Sequence, residues 1–116
     1  FETLEAARWV DCLKPGGRVI VSTQEIPPMP VLTGQAKYPE NLIGMMVDRG
    51  IQVEAVDGLA LAGEAGSAKA VNLVLMGVLS KYFSFPESAW LTAIEEVVPA
   101  KVLELNKTAF FLGRTL

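Results

Sequence analysis

The sequence predicts an α/β fold, in which a Rossmann-like parallel sheet lies in a three-layer arrangement with helices and is followed by a helical C-terminal half. Two segments, residues 18–23 and 51–56, have the β-branched or alternating patterns of strands. A helical segment separates them, and this order is typical of a right-handed crossover in a parallel sheet. After residue 57 the apolar spacing is helical throughout. These three observations define the predicted fold class.

The chain begins with a predicted helix and a first strand. Residues 1–13 carry a helical apolar stripe, which Pro15-Gly16-Gly17 brings to an end. Cys12 lies within this run, where a lone cysteine is usually a small core residue. The run Val19-Ile20-Val21 is continuously β-branched, which is typical of a strand that is buried on both faces.

A second helix and a second strand follow. The helix is predicted over residues 39–49, because proline suits a first helical position and the glycine at 50 suits a stop. Residues 51–56 then alternate, with Ile51, Val53 and Ala55 on one face. This alternation predicts a half-exposed strand near the edge of the sheet.

The second half of the chain contains residues that typically begin and end helices. Asp57 and Ser67 are suitable N-caps, and Gly66 is a suitable helix stop. Gly77 lies inside an apolar helix, where it costs about 1 kcal/mol relative to alanine, and close approach of another backbone is the usual compensation. The predicted helices are residues 59–65, residues 68–81, one that starts at Pro86 and one that starts at Pro99 and is followed by Gly113.

The predicted sheet is too small for the helices around it. Two strands make a poor sheet by themselves, and several long helices would leave apolar surface exposed on it. The chain also starts at Phe1 without a methionine. We therefore expect the sheet to be incomplete at the N-terminus, so that residues 1–116 are the C-terminal part of a single domain. An oligomer that buries the incomplete sheet is the further expectation.

Composition excludes several classes of function. The 116 residues include one cysteine and no histidine, which excludes an internal disulfide, His-dependent triads and His-ligated metals. An iron–sulfur cluster needs about four thiolates, so a single cysteine also excludes a cluster that is ligated by cysteines of this chain. A net charge of −3 gives no basic surface for nucleic acid. The most apolar run, residues 71–79, is far shorter than the roughly 20 residues of a bilayer span. A compact soluble domain without a metal site is expected.

Candidate ligand contacts follow the first strand. Ligands of open parallel sheets sit at the carboxyl ends of the strands, and the long connection of residues 24–38 leaves from that end. Ser22, Thr23 and Gln24 could therefore offer hydrogen bonds to a ligand. In the alternative interpretation, the prolines of this connection only guide the chain over the sheet edge or against another subunit, and contact with a partner is slightly favoured.

Two asparagines interrupt apolar helical segments. An amide in such a context is costly unless its hydrogen bonds are met, so Asn72 and Asn106 are expected to tie neighbouring segments together. A ligand contact of Asn72 is the alternative. Trp9 and Trp90 have helical spacing and are expected in the core or in an interface. The scattered cations, Arg114 among them, are expected to form a solvated face.

Two stretches carry a resemblance to a known family. The first includes Leu13-Lys14-Pro15-Gly16-Gly17 and continues through Thr23-Gln24-Glu25-Ile26-Pro27-Pro28-Met29-Pro30-Val31. The second contains these landmarks in order: Val56-Asp57, Asn72-Leu73-Val74-Leu75-Met76-Gly77, Phe85-Pro86-Glu87, Trp90, Val98-Pro99, Lys101, Glu104, Asn106, Ala109-Phe110 and Gly113-Arg114. Together they resemble the small (beta) subunit of indolepyruvate:ferredoxin oxidoreductase and the gamma-type catalytic domain of 2-oxoacid:ferredoxin oxidoreductases.

The resemblance implies a subunit of a cytoplasmic, heteromeric enzyme. Such an enzyme oxidatively decarboxylates aryl pyruvates to aryl-acetyl-CoA and passes electrons to ferredoxin. Thiamine diphosphate and the iron–sulfur clusters reside on the larger (alpha) subunit, and CoA is a co-substrate. The resemblance assigns no catalytic residue and no cofactor to this chain, which is expected to be inactive alone. It leaves Thr23, Gln24 and Asn72 as candidates for the vicinity of substrate or CoA.

Two other interpretations remain open from the sequence. Leu13-Lys14-Pro15-Gly16-Gly17 followed by a hydrophobic strand also resembles a late motif of class I methyltransferases. Those domains end in an antiparallel strand pair, whereas helices are predicted here. The remaining alternative is a non-catalytic interaction module.

Overall fold

The computed structural model describes residues 1–116, which form two compact units, Phe1–Val56 and Asp57–Leu116. The fold is mixed α/β, with a small parallel sheet in the first unit and helices throughout the second. This confirms the predicted fold class and its helical C-terminal half. No helix has the length and apolar character that a membrane span requires.

The first unit contains two strands and three α-helices. Its elements in chain order are α1 (Thr3–Arg8), a 3₁₀ turn (Val10–Cys12), β1 (Arg18–Ser22), α2 (Met29–Leu32), α3 (Leu42–Asp48) and β2 (Gln52–Val56). The strands pair in parallel, with Arg18 opposite Gln52 and Ser22 opposite Val56. Both strands therefore lie where the β-branched and alternating patterns predict them. Their carboxyl ends meet at one edge.

Several details of the first unit differ from the expectations, and one is the start of the second predicted helix, which lies at Leu42 rather than at Pro39. The first helix is shorter, because the chain tightens into a 3₁₀ turn after Trp9, which is 63% exposed. Cys12 is exposed and is not a core residue. In β2, Ala55 is exposed while Glu54 is half-buried, so the alternation does not separate a buried face from a solvated one. A sheet of two strands buries only part of either face, which explains this last difference.

The second unit packs four α-helices. They are α4 (Gly58–Ala65), α5 (Val71–Ser80), α6 (Glu87–Val97) and α7 (Leu103–Arg114), with 3₁₀ turns at Ala68–Ala70 and Ala100–Val102. The predicted caps are confirmed, since the Asp57 carboxylate accepts from the Ala60 N–H at 3.0 Å and the Ser67 hydroxyl accepts from the Lys69 N–H at 3.2 Å. Gly66 ends α4 with a φ of 113°.

Helices α5 and α7 approach each other through two glycines. A Cβ added to Gly77 would lie 2.0 Å from the Phe110 carbonyl oxygen, and one added to Gly113 would lie 2.0 Å from the Val74 carbonyl oxygen. The predicted close approach at Gly77 is therefore confirmed. Gly113 was expected to follow the last helix, but it is buried inside α7 and takes part in the same contact. Phe110, Val74 and Val78 are fully buried beside it.

The two asparagines do not tie segments together as expected. Asn72 is exposed on α5, so its amide faces solvent and the predicted structural role is wrong. Asn106 donates its side-chain N–H to the Val102 carbonyl at 2.8 Å, within one turn at the start of α7. This bond stabilises the N-terminal turn of α7 itself.

Candidate functional site

The first candidate site is the carboxyl edge of the strand pair. Ser22 and Val56 are the last paired residues, and the Thr23 N–H extends the ladder by donating to the Val56 carbonyl at 2.9 Å. The Thr3 N–H donates to the Gln24 carbonyl at 3.1 Å, and the Thr3 hydroxyl lies 3.2 Å from the carbonyls of both Ser22 and Gln24. The chain that leaves β1 is thus held against the start of α1.

The three polar side chains of this edge differ in their access to a ligand. Ser22 is fully buried, and its hydroxyl oxygen accepts from the Gln24 N–H at 3.3 Å. Ser22 therefore stabilises the turn and cannot reach a ligand. Thr23 is exposed and Gln24 is half-buried, so these two can present a hydroxyl and an amide at the edge. A hydroxyl and an amide can bind a polar ligand, but neither is a strong acid, base or nucleophile at neutral pH.

A buried carboxylate holds the connection that follows this edge. Glu2, the N-cap of α1, accepts from the Glu5 N–H at 2.7 Å, from the Ile26 N–H at 3.3 Å and from the Tyr38 hydroxyl. The Tyr38 hydroxyl oxygen in turn accepts from the Leu4 N–H at 3.1 Å. Since residues 26 and 38 stand at the two ends of one segment, a single carboxylate closes that segment. Glu2, Ile26 and Tyr38 are called the Glu2 clamp below.

The electrostatics of the Glu2 clamp favour an ionised carboxylate and a neutral phenol. Burial raises the pKa of Glu2, but the hydrogen bonds from Tyr38 and from backbone N–H groups outweigh it and hold the pKa below its ordinary value. Burial and the bond to Glu2 together raise the pKa of Tyr38 to about 12. Both groups are therefore in the states that the hydrogen bond requires at neutral pH.

The segment closed by the Glu2 clamp exposes apolar side chains. It contains the short helix α2, which the sequence pattern did not reveal, and Pro28 precedes its first residue. Ile26, Met29 and Leu32 are each more than half exposed, at 54%, 67% and 66%. Such a compact segment with its ends close together resembles an Ω-loop, a class that is frequently functional.

A cleft lies at the opposite, amino end of the strands. It has a volume of about 240 Å³ and includes Asp11, Lys14, Gly16 and Arg49 in its lining. Arg49 forms an ion pair with Asp11 at 2.5 Å, and both side chains are more than half exposed. Parallel sheets place their ligands at the carboxyl ends of strands, so this cleft is not the favoured site.

The second candidate site lies on the second unit, between α5 and α6. A cleft of about 260 Å³ contains Asn72, Met76, Trp90 and Val97 in its lining, and a neighbouring cleft of about 200 Å³ is lined by Phe85, Ala89, Trp90 and Ala93. Trp90 and Ala93 belong to both clefts, so the two are continuous. Together they are called the α6 groove.

Trp90 is the centre of an aromatic cluster in this unit. Its ring makes edge contacts with Phe83 and Phe85 at 6.2 and 6.0 Å, and it lies 6.1 Å from the ring of the fully buried Phe110. Its Nε1 is buried and has no hydrogen-bond partner. The predicted location of Trp90 in a core or interface therefore fits, whereas the 63% exposure of Trp9 does not fit a core position.

An ion-paired arginine, which the sequence pattern did not reveal, joins three helices of the second unit. The Arg114 guanidinium donates to the Ser80 hydroxyl at 2.6 Å and lies 3.3 Å from the Glu87 carboxylate. Ser80 is fully buried and donates to the Gly77 carbonyl at 2.6 Å. Arg114 was expected on a solvated face; instead it links the ends of α5 and α7 to the start of α6.

The predicted site residues thus fall in both units. Thr23 and Gln24 lie at the carboxyl edge of the first unit, and Asn72 lines the α6 groove of the second. No group of three or more Asp, Glu or Cys side chains is placed to hold a metal ion. The contacts of Glu2, Tyr38 and Arg114 had no sequence signal, because most of their partners are distant along the chain.

The fold and these two sites describe an α/β domain that offers polar side chains at the edge of its strands and apolar surface on its helices. Residues 1–116 match the Pyruvate ferredoxin/flavodoxin oxidoreductase family, and the chain belongs to it. The resemblance drawn from the sequence motifs is thereby confirmed.

The chain is similar to archaeal proteins of one name. It is 40% identical over 120 residues to "Indolepyruvate oxidoreductase subunit IorB" of Thermococcus kodakarensis, 38% identical over 120 residues to the protein of that name in Pyrococcus horikoshii, and 35% identical over 117 residues to that in Archaeoglobus fulgidus. Each match covers 97% of this chain and 58% of the relative. The chain therefore spans little more than half the length of these relatives. No solved structure matches it.

Proposed function

We propose that this chain is part of a subunit of a heteromeric, cytoplasmic oxidoreductase that oxidatively decarboxylates aryl pyruvates, indolepyruvate among them, to aryl-acetyl-CoA, with ferredoxin as electron acceptor. The observation that carries the proposal is the 40% identity, over 97% of the chain, to a protein named as an indolepyruvate oxidoreductase subunit. Residues 1–116 would be the C-terminal part of a single gamma-type domain in that subunit.

The residues of this chain support a non-catalytic role within the complex. Its single cysteine, Cys12, does not fit an iron–sulfur cluster, which needs about four thiolates. The chain has no histidine, and its ionisable groups with shifted pKa values, such as Glu2, are committed to hydrogen bonds within the fold. The family resemblance assigns thiamine diphosphate and the clusters to the larger subunit, and this composition agrees with that assignment. Alone, this chain is expected to be inactive.

The proposal is tested by reconstitution. The full-length subunit that contains this chain is purified with and without the larger subunit, and ferredoxin reduction is followed anaerobically with indolepyruvate and CoA. Only the complex is expected to reduce ferredoxin. An equal rate from the larger subunit alone would refute the role proposed for this chain. Comparing kcat/KM for aryl and alkyl 2-oxoacids then defines the substrate class.

Thr23, Gln24 and Asn72 are proposed as polar contacts near substrate or CoA in the assembled enzyme. Their support is position, since Thr23 and Gln24 lie at the carboxyl edge of parallel strands and Asn72 lines a groove. Thr23→Val and Asn72→Leu should each raise the KM for CoA or for the 2-oxoacid, while Thr33→Val, at an exposed threonine elsewhere in the first unit, should not. Unchanged KM values for both substrates would remove Thr23 and Asn72 from the site.

The methyltransferase alternative has little support. Residues 57–116 contain α- and 3₁₀-helices and no strand, whereas those domains end in an antiparallel strand pair. Calorimetry with S-adenosylmethionine should detect no binding.

A further inference from the structure

Buried residues hold the backbone of Gln24 on both sides of its Cα atom. Its N–H donates to the Ser22 hydroxyl oxygen at 3.3 Å, and its carbonyl oxygen accepts from the Thr3 N–H at 3.1 Å. The Thr3 hydroxyl lies 3.2 Å from the same carbonyl oxygen and 3.2 Å from that of Ser22. Ser22 is fully buried and Thr3 is only 4% exposed. The half-buried side chain of Gln24 is thus carried by a backbone that is fixed from below the carboxyl edge.

The hydroxyl of Thr3 has no task in its own helix. The N-terminal turn of α1 is capped by the Glu2 carboxylate, which accepts from the Glu5 N–H at 2.7 Å. Thr92 and Thr108, in α6 and α7, each donate at 2.9 Å to the carbonyl four residues earlier in the same helix. The acceptors of Thr3 lie 19 and 21 residues away, where β1 ends. Its hydroxyl therefore stabilises the exit of the strand and not α1.

Loss of this hydroxyl would act on the position of the Gln24 amide. Valine has nearly the shape of threonine but no hydroxyl, so the Gln24 carbonyl would keep only the Thr3 N–H as its donor. The peptide that carries the side chain could then shift. A polar group that contacts a ligand loses much of its effect when it is displaced by a fraction of an ångström.

We infer that Thr3 is a positioning residue, whose hydroxyl fixes the backbone of Gln24 so that the Gln24 amide meets the 2-oxoacid or CoA at the carboxyl edge. The inference rests on the proposed function, which places Gln24 near substrate or CoA, and it deepens that proposal by naming the residue that sets the contact. Thr3 is buried and does not touch the ligand itself. It acts through Gln24.

The test measures kcat and KM for both substrates in the complex of the full-length subunit with the larger subunit. Gln24→Met removes the amide at similar length and should raise the KM for one substrate roughly three- to tenfold. Thr3→Val should raise the KM for that same substrate roughly three- to fivefold and change kcat less than about twofold, because a contact common to the ground and transition states is weakened.

Two variants show whether the hydroxyl itself is responsible. Thr3→Ser keeps the donor and should return the KM to within about twofold of the wild-type value. Thr3→Cys has a weak donor of similar size, so its KM should approach that of Thr3→Val, and it replaces that variant if Thr3→Val does not assemble. Thr108→Val is the matched control, since its hydroxyl donates within α7, and it should leave kcat and KM unchanged.

A double variant separates positioning from a loss of stability. If Thr3 acts through Gln24, Thr3→Val should raise the KM no further when Gln24→Met is already present. Effects that multiply would overturn the inference. A fall in kcat with an unchanged KM, or equal defects in Thr3→Ser and Thr3→Val, would also overturn it, because a purely structural role would then suffice.

The remaining outcomes separate the inference from the proposed function. If Gln24→Met raises a KM and Thr3→Val does not, the inference fails and the contact of Gln24 stands. If neither variant changes a KM in an active complex, Gln24 lies outside the site, so the inference fails and the proposed activity stands. If the wild-type complex does not turn over indolepyruvate, the proposed activity fails, and the inference fails with it.

Discussion

In the first unit, polar groups hold the loops against the strands, and the Glu2 carboxylate alone accepts three hydrogen bonds, two of them from the distant residues Ile26 and Tyr38. In the second unit, helices are fastened by apolar packing around Phe110 and by two glycines that bring backbones together. Most of the buried apolar side chains belong to the second unit. The first unit should therefore respond to pH and the second to changes in side-chain volume.

The difference follows from how much apolar surface each unit can cover. The paired strands leave Val19, Ile20 and Val53 only half-buried, because a two-stranded sheet has little to pack against. Polar capping at the carboxyl edge stabilises the first unit locally and so compensates for this incomplete apolar burial. The four helices of the second unit cover one another instead and still leave the α6 groove open.

The largest effect is expected at the glycine contact between α5 and α7. Gly77→Ala would place a methyl group 2.0 Å from the Phe110 carbonyl oxygen and force the helices apart. We expect a loss of about 3 kcal/mol in the free energy of unfolding, at the upper end of overpacking effects. Chemical denaturation followed by circular dichroism measures it. A loss below about 1 kcal/mol would contradict the close helix contact.

The next effect concerns the buried hydroxyl that Arg114 binds. Ser80→Ala removes an acceptor for the guanidinium and a donor to the Gly77 carbonyl, and a hydrogen bond to a charged group contributes about 2 kcal/mol. A double-mutant cycle with Arg114→Ala should give a coupling of about 1 kcal/mol, because the two side chains share one bond. Additive losses would show that Arg114 acts through Glu87 alone.

A smaller effect, about 1 kcal/mol, is expected from Glu2→Gln in the first unit. The amide keeps one acceptor oxygen but loses the charge that the three donors face. Hydrogen exchange of the Glu5 and Ile26 amides should become faster, and amides of the second unit should not change. Equal acceleration in both units would contradict the proposed difference between them.

The same clamp gives the first unit a pH dependence with a defined sign. The pKa of Glu2 is lower in the folded chain than its ordinary value of 4.5, so its stabilisation is fully present above that value. It is lost as pH falls through the lower, folded pKa. The exchange protection of Ile26 should therefore decrease at acid pH in the wild type but not in Glu2→Gln. A second readout is the phenol itself. When Tyr82→Phe is added to Glu2→Gln, Tyr38 is the only tyrosine left, and its pKa should move from about 12 towards its ordinary value of 10.0.

Local signals predicted more of this fold than of its sites. The β-branched run of β1, the caps Asp57 and Ser67 and the close approach at Gly77 all depend on neighbouring residues or on a single residue type, and each was predicted. The family was also predicted from the order of short motifs along the chain.

The errors arose where the partner of a residue is distant along the sequence. Glu2 is the N-cap of α1, but two of its donors belong to residues 26 and 38, which no local pattern indicates. Gly113 is predicted to follow the last helix, but it lies inside α7. The reason is the backbone of Val74, which faces Gly113 too closely for any side chain, and local sequence does not show this contact. Arg114 and Asn72 were placed by the polarity of their neighbours, which does not report which helix face is covered.

The smallest expected effect has the opposite sign and lies in the same unit as the largest. Gly63 stands in α4, and a Cβ added there would meet nothing within 4 Å. Its φ is not in the left-handed region, so alanine can adopt the same backbone without strain. Gly63→Ala should stabilise the chain by roughly 0.5–1 kcal/mol, because alanine restricts the unfolded chain and favours the helix. Its effect is measured by the denaturation that measures Gly77→Ala. If Gly63→Ala and Gly77→Ala destabilise the chain by similar amounts, the glycine contact between α5 and α7 is not what distinguishes the second unit. If Gly63→Ala stabilises the chain and Gly77→Ala destabilises it, the close packing of the second unit lies at that contact.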